Sequence, residues 1–356
     1  MKIKKIKTWS ENMGNTKPYT IAFKTVDQVC NVFVEITLAN GITGLGAGNP
    51  NEYVTGENLD MAVAALDEKN TEFLIGRDIR STRQLLFEIN EKFSSTPAAQ
   101  AALDIAIYDA FSQWLGIPLV KYLGQKIYSM ETSITIGIKN LNQTLTEAED
   151  YGKMGFKVLK VKIGKDIEED IERLVKLREK FGNRFRIRID ANQGYTPQQT
   201  IEFYKKTLSL NLELIEQPLP AKAISDLRKL PAEVRKVIAS DESLISPQNA
   251  LTLASPEPAS GIFNIKLMKC GGIHQALSIA NIASLSKVDL FWGCNDESII
   301  SITAALHVAF SCSNTKYIDL DGSLDLANDI VKGGFILKNG VMSCSELPGI
   351  GVERKT

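Results

Sequence analysis

Apolar and polar residues alternate near the amino terminus in the manner of antiparallel β-strands. The clearest run spans residues 32–38, and the dipeptide Asn40-Gly41 that follows favours a tight hairpin turn before a second run to Leu45. Apolar residues then recur at helical spacing in three stretches, which are residues 58–74, 82–93 and 97–115. These patterns predict an α+β domain over residues 1–125.

Beyond residue 125 the pattern changes to a strand followed by a helix, repeated through residue 308. This alternation predicts a parallel β/α barrel over residues 126–325. The end of the chain returns to a hairpin pattern with Asn339-Gly340 at the turn, and we expect residues 326–356 to pack back onto the amino-terminal domain. The first strand-like runs are residues 133–138, 157–163 and 185–190, and the first helical runs are residues 142–154, 167–181 and 197–208.

Three lysines lie in strand-like runs of the predicted barrel. Lys160 and Lys162 are two residues apart, so their side chains share one face of a strand while the apolar residues around them fill the other face. Lys266 ends a similar apolar run. Two lysines on one face of a strand must either lie in water or be surrounded by anions, and the apolar neighbours favour the second arrangement.

Acidic residues end three apolar runs between these lysines, at Asp190, Glu216 and Asp241. From Lys162 through the three acids to Lys266, each step is about 25 to 28 residues, near the length of one strand–helix unit. A single acid at a strand end is more often a helix cap or a loop charge. Three acids in register indicate instead that several strand ends converge on one pocket at the catalytic face of a barrel.

The donor set suits a particular class of metal. Hard divalent cations such as Mg²⁺ prefer a few carboxylate oxygens, with water or substrate completing the coordination. Zinc is disfavoured because His274 and His307 fall in helical stretches. A lysine beside another ammonium and a divalent cation should have a lowered pKa, which would let it act as a base. For Lys266 alone, a plain salt bridge to the neighbouring acids is an equal alternative.

Composition narrows the class of partner. The 356 residues carry 41 basic and 42 acidic side chains, and a formal net charge of −1 lacks the electrostatic footprint of a nucleic-acid or membrane-binding protein. We therefore expect a small-molecule substrate, and the oligomeric state is left open. The chain has no secretion signal or membrane-spanning run, so we expect a cytoplasmic location. Five scattered cysteines disfavour a disulfide framework.

In combination, five motifs resemble the muconate-lactonizing subgroup of the enolase superfamily over essentially the whole chain. The resemblance implies an α/β fold in which an α+β capping domain covers a modified (β/α)7β barrel of the TIM type. It also implies the chemistry of that superfamily, in which lysine bases act beside Mg²⁺ and an enediolate. The motifs are Lys160-Val161-Lys162, Asp190-Ala191-Asn192, Glu216-Gln217-Pro218, Asp241-Glu242-Ser243 and Asn264-Ile265-Lys266-Leu267-Met268-Lys269-Cys270-Gly271-Gly272.

The resemblance assigns a role to each charged residue. Lys162 and Lys266 would lie on opposite faces of the substrate α-carbon, so that one removes the proton and the other returns a proton from the far side. Lys160 would assist electrostatically. Mg²⁺ would stabilise the enediolate more than the ground-state carboxylate. The implied magnesium ligands are Asp190, Glu216 and Asp241.

Asp319-Leu320-Asp321, near the last barrel strand, indicates the substrate. By itself this segment reads as an ordinary turn. In context it resembles the Asp-x-Asp motif of dipeptide epimerases, in which two acids hold the free α-ammonium of the first residue. The alternatives are N-acylamino acid racemase, o-succinylbenzoate synthase and cycloisomerase, whose substrates lack that ammonium. We therefore predict an epimerase that inverts the carboxy-terminal residue of a dipeptide.

Residues 17–24 and 49–55 of the capping domain are expected to close over the barrel mouth and to set specificity. Relatives that act on Ala-Glu place an arginine where Lys24 stands, and a lysine lacks the planar fork of a bidentate carboxylate contact. We therefore predict Ala-X dipeptides with a small or hydrophobic X, with an L-Ala-D/L-Glu epimerase of cell-wall peptide recycling as the alternative. The other predicted substrate-binding residues are Tyr19, Ile21, Phe23, Tyr53, Thr135, Asn192 and Glu297.

Overall fold

The computed structural model describes residues 1–16 and 28–355, together with the backbone of residues 19–20 and 25–26. These residues form a capping domain, a parallel barrel and a carboxy-terminal segment. The predicted fold class is therefore confirmed. None of the described helices combines the length and the apolar character that crossing a membrane requires.

The capping domain combines an antiparallel sheet with helices, as its sequence predicts. In chain order its elements are β1 (Ile3–Asn12), β2 (Tyr19–Thr20), β3 (Thr25–Val26), β4 (Cys30–Leu38), β5 (Thr43–Gly48), α1 (Leu59–Ala65), α2 (Glu68–Thr71), α3 (Thr82–Phe93), α4 (Pro97–Leu115) and α5 (Leu119–Leu123). Short 3₁₀ turns cover Glu72–Leu74 and Ile79–Ser81. The sheet has the strand order β1-β4-β5.

Helix α4 packs unusually close to the predicted hairpin of β4 and β5. The hairpin is confirmed, and Gly41 in its turn has a φ of +89°, a value that favours glycine. A Cβ atom added at Gly46 would lie 1.8 Å from the carbonyl oxygen of Ala102. Glycines on the strand and alanines on the helix therefore let two backbones approach, which fixes α4 firmly beneath the sheet.

One predicted helix differs from the structure. The helix expected over residues 58–74 is divided into α1, α2 and a 3₁₀ turn. Asn58 caps the start of α1 by accepting a hydrogen bond from the backbone N–H of Met61 at 2.9 Å. The hydroxyl of Thr8 on β1 donates to the carbonyl of Leu66 at 3.0 Å, so a contact with another element satisfies that carbonyl where the helix ends.

The barrel follows as eight parallel strands connected by helices. Its elements, after the short strand β6 (Met130–Glu131), are β7 (Ile134–Ile136), α6 (Leu141–Lys153), β8 (Val158–Lys162), α7 (Ile167–Phe181), β9 (Arg186–Asp190), α8 (Pro197–Thr207), β10 (Leu212–Glu216), α9 (Ile224–Lys229), α10 (Ala232–Val237), β11 (Ile238–Ser240), α11 (Pro247–Ala254), β12 (Ile262–Ile265), α12 (Leu267–Cys270), α13 (Ile273–Leu285), β13 (Asp289–Trp292), α14 (Ile299–Ser311) and β14 (Thr315–Ile318). A 3₁₀ turn, Leu208–Leu210, extends α8.

The strands lie side by side in sequence order from β7 to β14. A parallel bridge between Thr132 and Ile318 joins the start of the first strand to the last, which closes the sheet. Leu159 and Val161 of β8 are fully buried outside the ring of strands, within an apolar cluster shared with the neighbouring helices. The predicted two faces of β8 are thus confirmed, with the lysines on the inner face.

The carboxy-terminal segment contains β15 (Val331–Gly333), β16 (Phe335–Lys338), β17 (Val341–Cys344) and β18 (Val352–Arg354). Its hairpin forms as predicted, with positive φ at both Asn339 and Gly340, and β17 also pairs with β6. The segment then contacts the capping domain. The backbone N–H of Ile350 donates to Asp109 at 2.8 Å, and Arg354 pairs with Glu35 at 2.6 Å.

Candidate active site at the barrel mouth

Strand register brings the predicted lysines and acids to one end of the barrel. Lys162 pairs in register with Asp190, and Asp190 pairs with Glu216 on the next strand. Lys162 ends β8 and Lys266 directly follows β12, and these strands are four apart in a closed ring of eight, so the two lysines enter the mouth from opposite sides. The acid-bearing strand ends lie between them, with Asp241 directly after β11.

Lys162 is the more accessible of the lysines on β8. Its ammonium lies 2.6 Å from an Asp190 oxygen and donates to the side-chain oxygen of Asn192 at 3.1 Å. The backbone N–H of Asn192 donates to the other Asp190 oxygen at 3.0 Å. With 21% of its side chain exposed, Lys162 can reach a bound substrate while staying anchored at the strand end.

Lys160 lies one layer deeper and connects the two groups of acids. Its ammonium is 2.8 Å from Glu216, 3.3 Å from Asp190 and 2.9 Å from Asp319, and only 4% of the side chain is exposed. Burial opposes its positive charge, but the three carboxylates outweigh burial and raise its pKa well above the ordinary lysine value. Lys160 therefore acts as a fixed positive charge below the mouth.

Lys266 faces the mouth from β12, on the opposite side. Its ammonium is 3.0 Å from Asp241. Burial lowers its pKa, but Asp241 and Glu216 raise it more, so the net shift is upward. This direction is opposite to the fall expected from the sequence, because that expectation placed a divalent cation among these carboxylates.

A fourth lysine, Lys269, was missed by the sequence reasoning. It is fully buried, and its ammonium donates to a side-chain oxygen of Asp241, to the Asp241 carbonyl at 2.6 Å and to the Asn264 carbonyl at 3.1 Å. Burial lowers its pKa. The available signal was its position three residues after Lys266, on the same side of a helical turn. Lys269 orients Asp241 from behind.

Glu216 has the electrostatic properties of a cation ligand. Burial, reinforced by Asp190 and Asp241, raises its pKa to about 8. One of its oxygens accepts a hydrogen bond from Asn264 at 2.8 Å. The other is buried and makes no hydrogen bond to any described group, although the Lys160 ammonium lies close to it. Three carboxylates that repel one another around an oxygen without a hydrogen bond fit a hard divalent cation.

The side chains do not already form a metal cage, however. Among the described residues, no three acidic, histidine or cysteine side chains converge on a single point in metal-ligand geometry. Each predicted ligand is drawn toward an ammonium instead: Asp190 toward Lys162, Glu216 toward Lys160 and Asp241 toward Lys266. The residue types fit Mg²⁺.

Asp319 and Asp321 lie together but have different surroundings. Asp319 is already occupied, because Lys160 contacts one oxygen at 2.9 Å and the hydroxyl of Ser133 donates to the other at 2.6 Å. Asp321 accepts the backbone N–H of Thr135 at 2.8 Å through one oxygen, and among the described residues its second oxygen has only a weak contact, from the thiol of Cys294 at 3.9 Å. Burial and the nearby Asp319 raise the pKa of Asp321 to about 8. Asp321 is thus the acid with capacity to accept a cation.

Two further predicted residues complete the mouth. Asn192 has a φ of +40° and donates to Glu242 at 3.4 Å, so it bridges the ends of β9 and β11. Glu297 is buried after β13, accepts the backbone N–H of Asn295 at 2.8 Å and has a pKa raised by burial to about 7. Its charge lies near Lys266. Both residues are therefore placed where a substrate could contact them.

The predicted specificity loops are only partly described. Lys24, Ile21, Phe23 and the side chain of Tyr19 fall outside the described residues. In the second loop, Tyr53 is 68% exposed. These assignments stay predictions.

Sequence reasoning missed three polar residues besides Lys269. Asn264 could have been found, because it is two residues before Lys266 and therefore shares its inward face. Ser133 and Cys294 carried no signal, since a lone serine or cysteine at a strand end is common. The contact of Ser133 with Asp319 arises only where the last barrel strand meets the first, and that of Cys294 arises where β13 lies beside β14.

Family models match nearly the whole chain. The mandelate racemase/muconate lactonizing enzyme amino-terminal domain matches residues 4–124, and the enolase carboxy-terminal domain-like model matches residues 143–356.

Individual relatives match over full length. An L-Lys-D/L-Arg epimerase of Desulforapulum autotrophicum is 51% identical, covering 99% of this chain and 100% of the relative. A dipeptide epimerase of Methylococcus capsulatus, solved with Mg and the dipeptide L-Arg-D-Lys, is 48% identical with a TM-score of 0.97 and 99% coverage of both chains. An L-Ala-D/L-Glu epimerase of Bacillus subtilis is 33% identical, covering 99% of this chain and 97% of the relative.

Proposed function

The chain belongs to the mandelate racemase/muconate lactonizing enzyme family of the enolase superfamily, and we propose that it epimerises the carboxy-terminal residue of cationic dipeptides with the aid of Mg²⁺. The coarser prediction, an isomerase of the dipeptide epimerase kind, is confirmed by the relatives. The racemase, synthase and cycloisomerase alternatives are not favoured. The predicted preference for Ala-X is replaced here by a proposal based on charge.

The observation that carries the proposal is the placement of two lysines on strands four apart, with three carboxylates between them. A planar carbanion bound between Lys162 and Lys266 would present one face to each ammonium. One lysine would remove the α-proton, and the other would deliver a proton to the opposite face, which inverts the centre. Lys160 and Asn192 hold the geometry of Lys162 and Asp190 rather than transfer protons.

Asp190, Glu216 and Asp241 are the residues that would hold Mg²⁺. Mg²⁺ supplies positive charge against the negative charge that develops on the substrate carboxylate as the α-proton leaves. Asn264 and Lys269 keep Glu216 and Asp241 turned toward the mouth through the contacts described above. These neighbours orient the carboxylates in the way that outer-shell partners orient metal ligands in other proteins.

The other end of the dipeptide would bind at Asp321. Its second oxygen can accept the α-ammonium while Asp319 remains paired with Lys160. An ammonium 3 Å from a buried carboxylate is a charge-assisted hydrogen bond, which is among the stronger polar contacts in proteins. Asp321 should therefore contribute more to substrate affinity than Asp319.

Asp321→Asn is expected to raise KM for free-amine dipeptides by about 30-fold or more, because an uncharged amide cannot replace the charge pair. The value of kcat should change much less, since Asp321 is distant from the α-carbon that reacts. Steady-state kinetics on a dipeptide and its N-acetyl derivative would test this. The N-acetyl compound should be poor for both enzymes, and an unchanged KM for the free amine would remove Asp321 from the ammonium site.

Acidic groups near Asp321 and Glu297, which follow the adjacent strands β14 and β13, favour positively charged side chains on that side of the mouth. Asp325 lies near enough to Asp321 to raise its pKa, and Asp296 acts in the same direction on Glu297. An excess of one sign of charge near one part of a site attracts ligand groups of the opposite sign. The relatives at 51% and 48% identity are both named L-Lys-D/L-Arg epimerases, which supports the same substrate class for this chain.

Initial rates on a panel of dipeptides in D2O would test the substrate class directly. We expect Lys-Arg and Arg-Lys to exceed Ala-Ala and Ala-Glu in kcat/KM by about 10-fold or more, which corresponds to one additional favourable charge contact. Raising the salt concentration from 0.05 to 0.5 M should narrow the difference, because salt screens charge interactions. All four substrates share the backbone ammonium and carboxylate, so any preference comes from the side chains, and its dependence on salt measures the contribution of their charge. A clear preference for Ala-Glu would instead support the cell-wall recycling alternative.

A further inference from the structure

The structure assigns Asp104, on helix α4 of the capping domain, a positioning role for Lys266 in the barrel. With Gln100 and Asn90 it forms what we call the clamp. We propose that the clamp holds the turn after β12, and that this turn sets where the Lys266 ammonium points. The inference rests on the proposed role of Lys266 as a base.

The turn couples Lys266 tightly to the start of α13. The carbonyl of Lys266 accepts the backbone N–H of Lys269 at 3.1 Å, and the carbonyl of Leu267 accepts those of Gly271 and Gly272 at 3.0 and 2.9 Å. Gly271 and Gly272 have φ values of +83° and +107°, which only glycine adopts readily. A displacement of α13 would therefore also move the backbone of Lys266.

Helix α13 has no N-cap side chain of its own, unlike most other helices that connect the barrel strands. Its N-cap residue is Gly272, which has no side chain to accept a backbone N–H. Asp104 supplies the cap from the other domain: its two oxygens accept the N–H groups of Ile273 at 2.6 Å and His274 at 3.2 Å. The helices that are capped by a residue adjacent in sequence are α6, α7, α8, α11 and α14.

Close packing adds to the hydrogen bonds. A Cβ atom added at Gly271 would lie 2.5 Å from the side chain of Gln100, and one added at Gly272 would lie 2.6 Å from Asp104. Gln100 donates to the side-chain oxygen of Asn90 at 3.0 Å, and Gln275 at the start of α13 donates to the same oxygen. The turn thus lies against the clamp without space to move.

The capping domain offers a matched control on the same helix. Asp109 is also buried, and it also accepts two backbone N–H groups, from Leu45 and Ile350, both at 2.8 Å. Those donors belong to the cap strand β5 and to the carboxy-terminal segment, not to the Lys266 turn. Asp109→Asn should therefore lower the free energy of unfolding about as much as Asp104→Asn does, but it should not displace Lys266.

The test measures both epimers of one accepted dipeptide in D2O, with exchange of the α-proton and epimerisation followed separately by NMR. In Asp104→Asn, epimerisation should fall by about 10-fold or more in both directions, because a displaced Lys266 transfers protons slowly. Exchange with retention, for the epimer whose proton faces Lys162, should stay within about 2-fold of the wild type. Asp109→Asn should keep the wild-type ratio of exchange to epimerisation.

Asn90→Ala provides a second test if Asp104→Asn does not fold, since Asn90 is only half-buried. Asn90→Ala should raise the ratio of α-proton exchange to epimerisation for the epimer whose α-proton faces Lys162, by a smaller factor than Asp104→Asn does. The inference is overturned if the ratio is unchanged in the variants that fold, or if Asp109→Asn changes it equally. Lys266→Ala, measured in parallel, tests the role of Lys266 as a base separately from the role of the clamp. If that variant still epimerises, the base assignment fails, whatever the clamp variants do.

Discussion

Lys266→Ala is expected to lower epimerisation by about 10³-fold, the middle of the range for removal of a positioned general base, or by more. The enzyme should then still remove and return the α-proton at Lys162, but it should no longer invert the α-carbon. With Lys162 intact, the epimer whose α-proton faces Lys162 should still exchange that proton with D2O, with retention of configuration. The opposite epimer should exchange hardly at all. Mass spectrometry and chiral chromatography of the recovered dipeptide would quantify both processes.

Lys162→Ala should give the mirror image, with exchange surviving only in the other epimer. Lys157→Ala is the matched control, because Lys157 precedes the same strand and its side chain is 65% exposed away from the mouth. Its kinetics should equal those of the wild type. If either active-site variant epimerises normally, or if both lose exchange of the same epimer, the two lysines do not serve opposite faces.

Glu216→Gln is expected to abolish Mg²⁺-dependent activity, with a loss of about 100-fold or more, since the amide brings no negative charge to the cation. The variant keeps the size of the side chain and an oxygen that can accept the hydrogen bond of Asn264. Addition of Mg²⁺ should raise the unfolding temperature of the wild type, because a ligand that binds only the folded state stabilises it. That increase should be much smaller in the variant.

Chelation provides the complementary experiment on the wild type. Treatment with EDTA should remove activity, and Mg²⁺ should restore it. Glu202→Gln, which alters an exposed carboxylate on α8, should keep both the activity and the thermal response to Mg²⁺. Full activity in EDTA, or an equal Mg²⁺ response in Glu216→Gln, would contradict the assignment of Glu216 as a ligand.

Much of the fold could be predicted because local patterns repeat along this chain. The alternation around Lys160 and Lys162 identifies an inward face, and the spacing of Asp190, Glu216 and Asp241 matches one strand–helix unit for each acid. Helix boundaries over residues 82–93, 97–115 and 167–181 agree with the structure for the same reason. The helix predicted over 58–74 is interrupted where Asp67 leaves the helical conformation, with a ψ of 149°, and Thr8, distant in sequence, satisfies the carbonyl of Leu66.

The site was predicted less completely than the fold. A residue that contacts a predicted acid from another strand, such as Ser133, is placed there only because certain strands become neighbours when the barrel closes. The unequal surroundings of Asp319 and Asp321 likewise depend on closure of the barrel, which brings Lys160 of β8 to Asp319 and Thr135 of β7 to Asp321. The sequence of the Asp319-Leu320-Asp321 motif cannot reveal that Asp319 is paired with Lys160 and that Asp321 is not.

By itself, the sequence determined which residues carry charge into the barrel and in what order, because side-chain direction in a strand and the length of a β/α unit are local properties. Only the tertiary structure decided which charges pair. Closure of the ring places Lys162 and Lys266 on opposite sides, and docking of the capping domain brings Asp104 to a helix 169 residues away. Such contacts arise from packing between distant segments, and no periodicity within either segment encodes them.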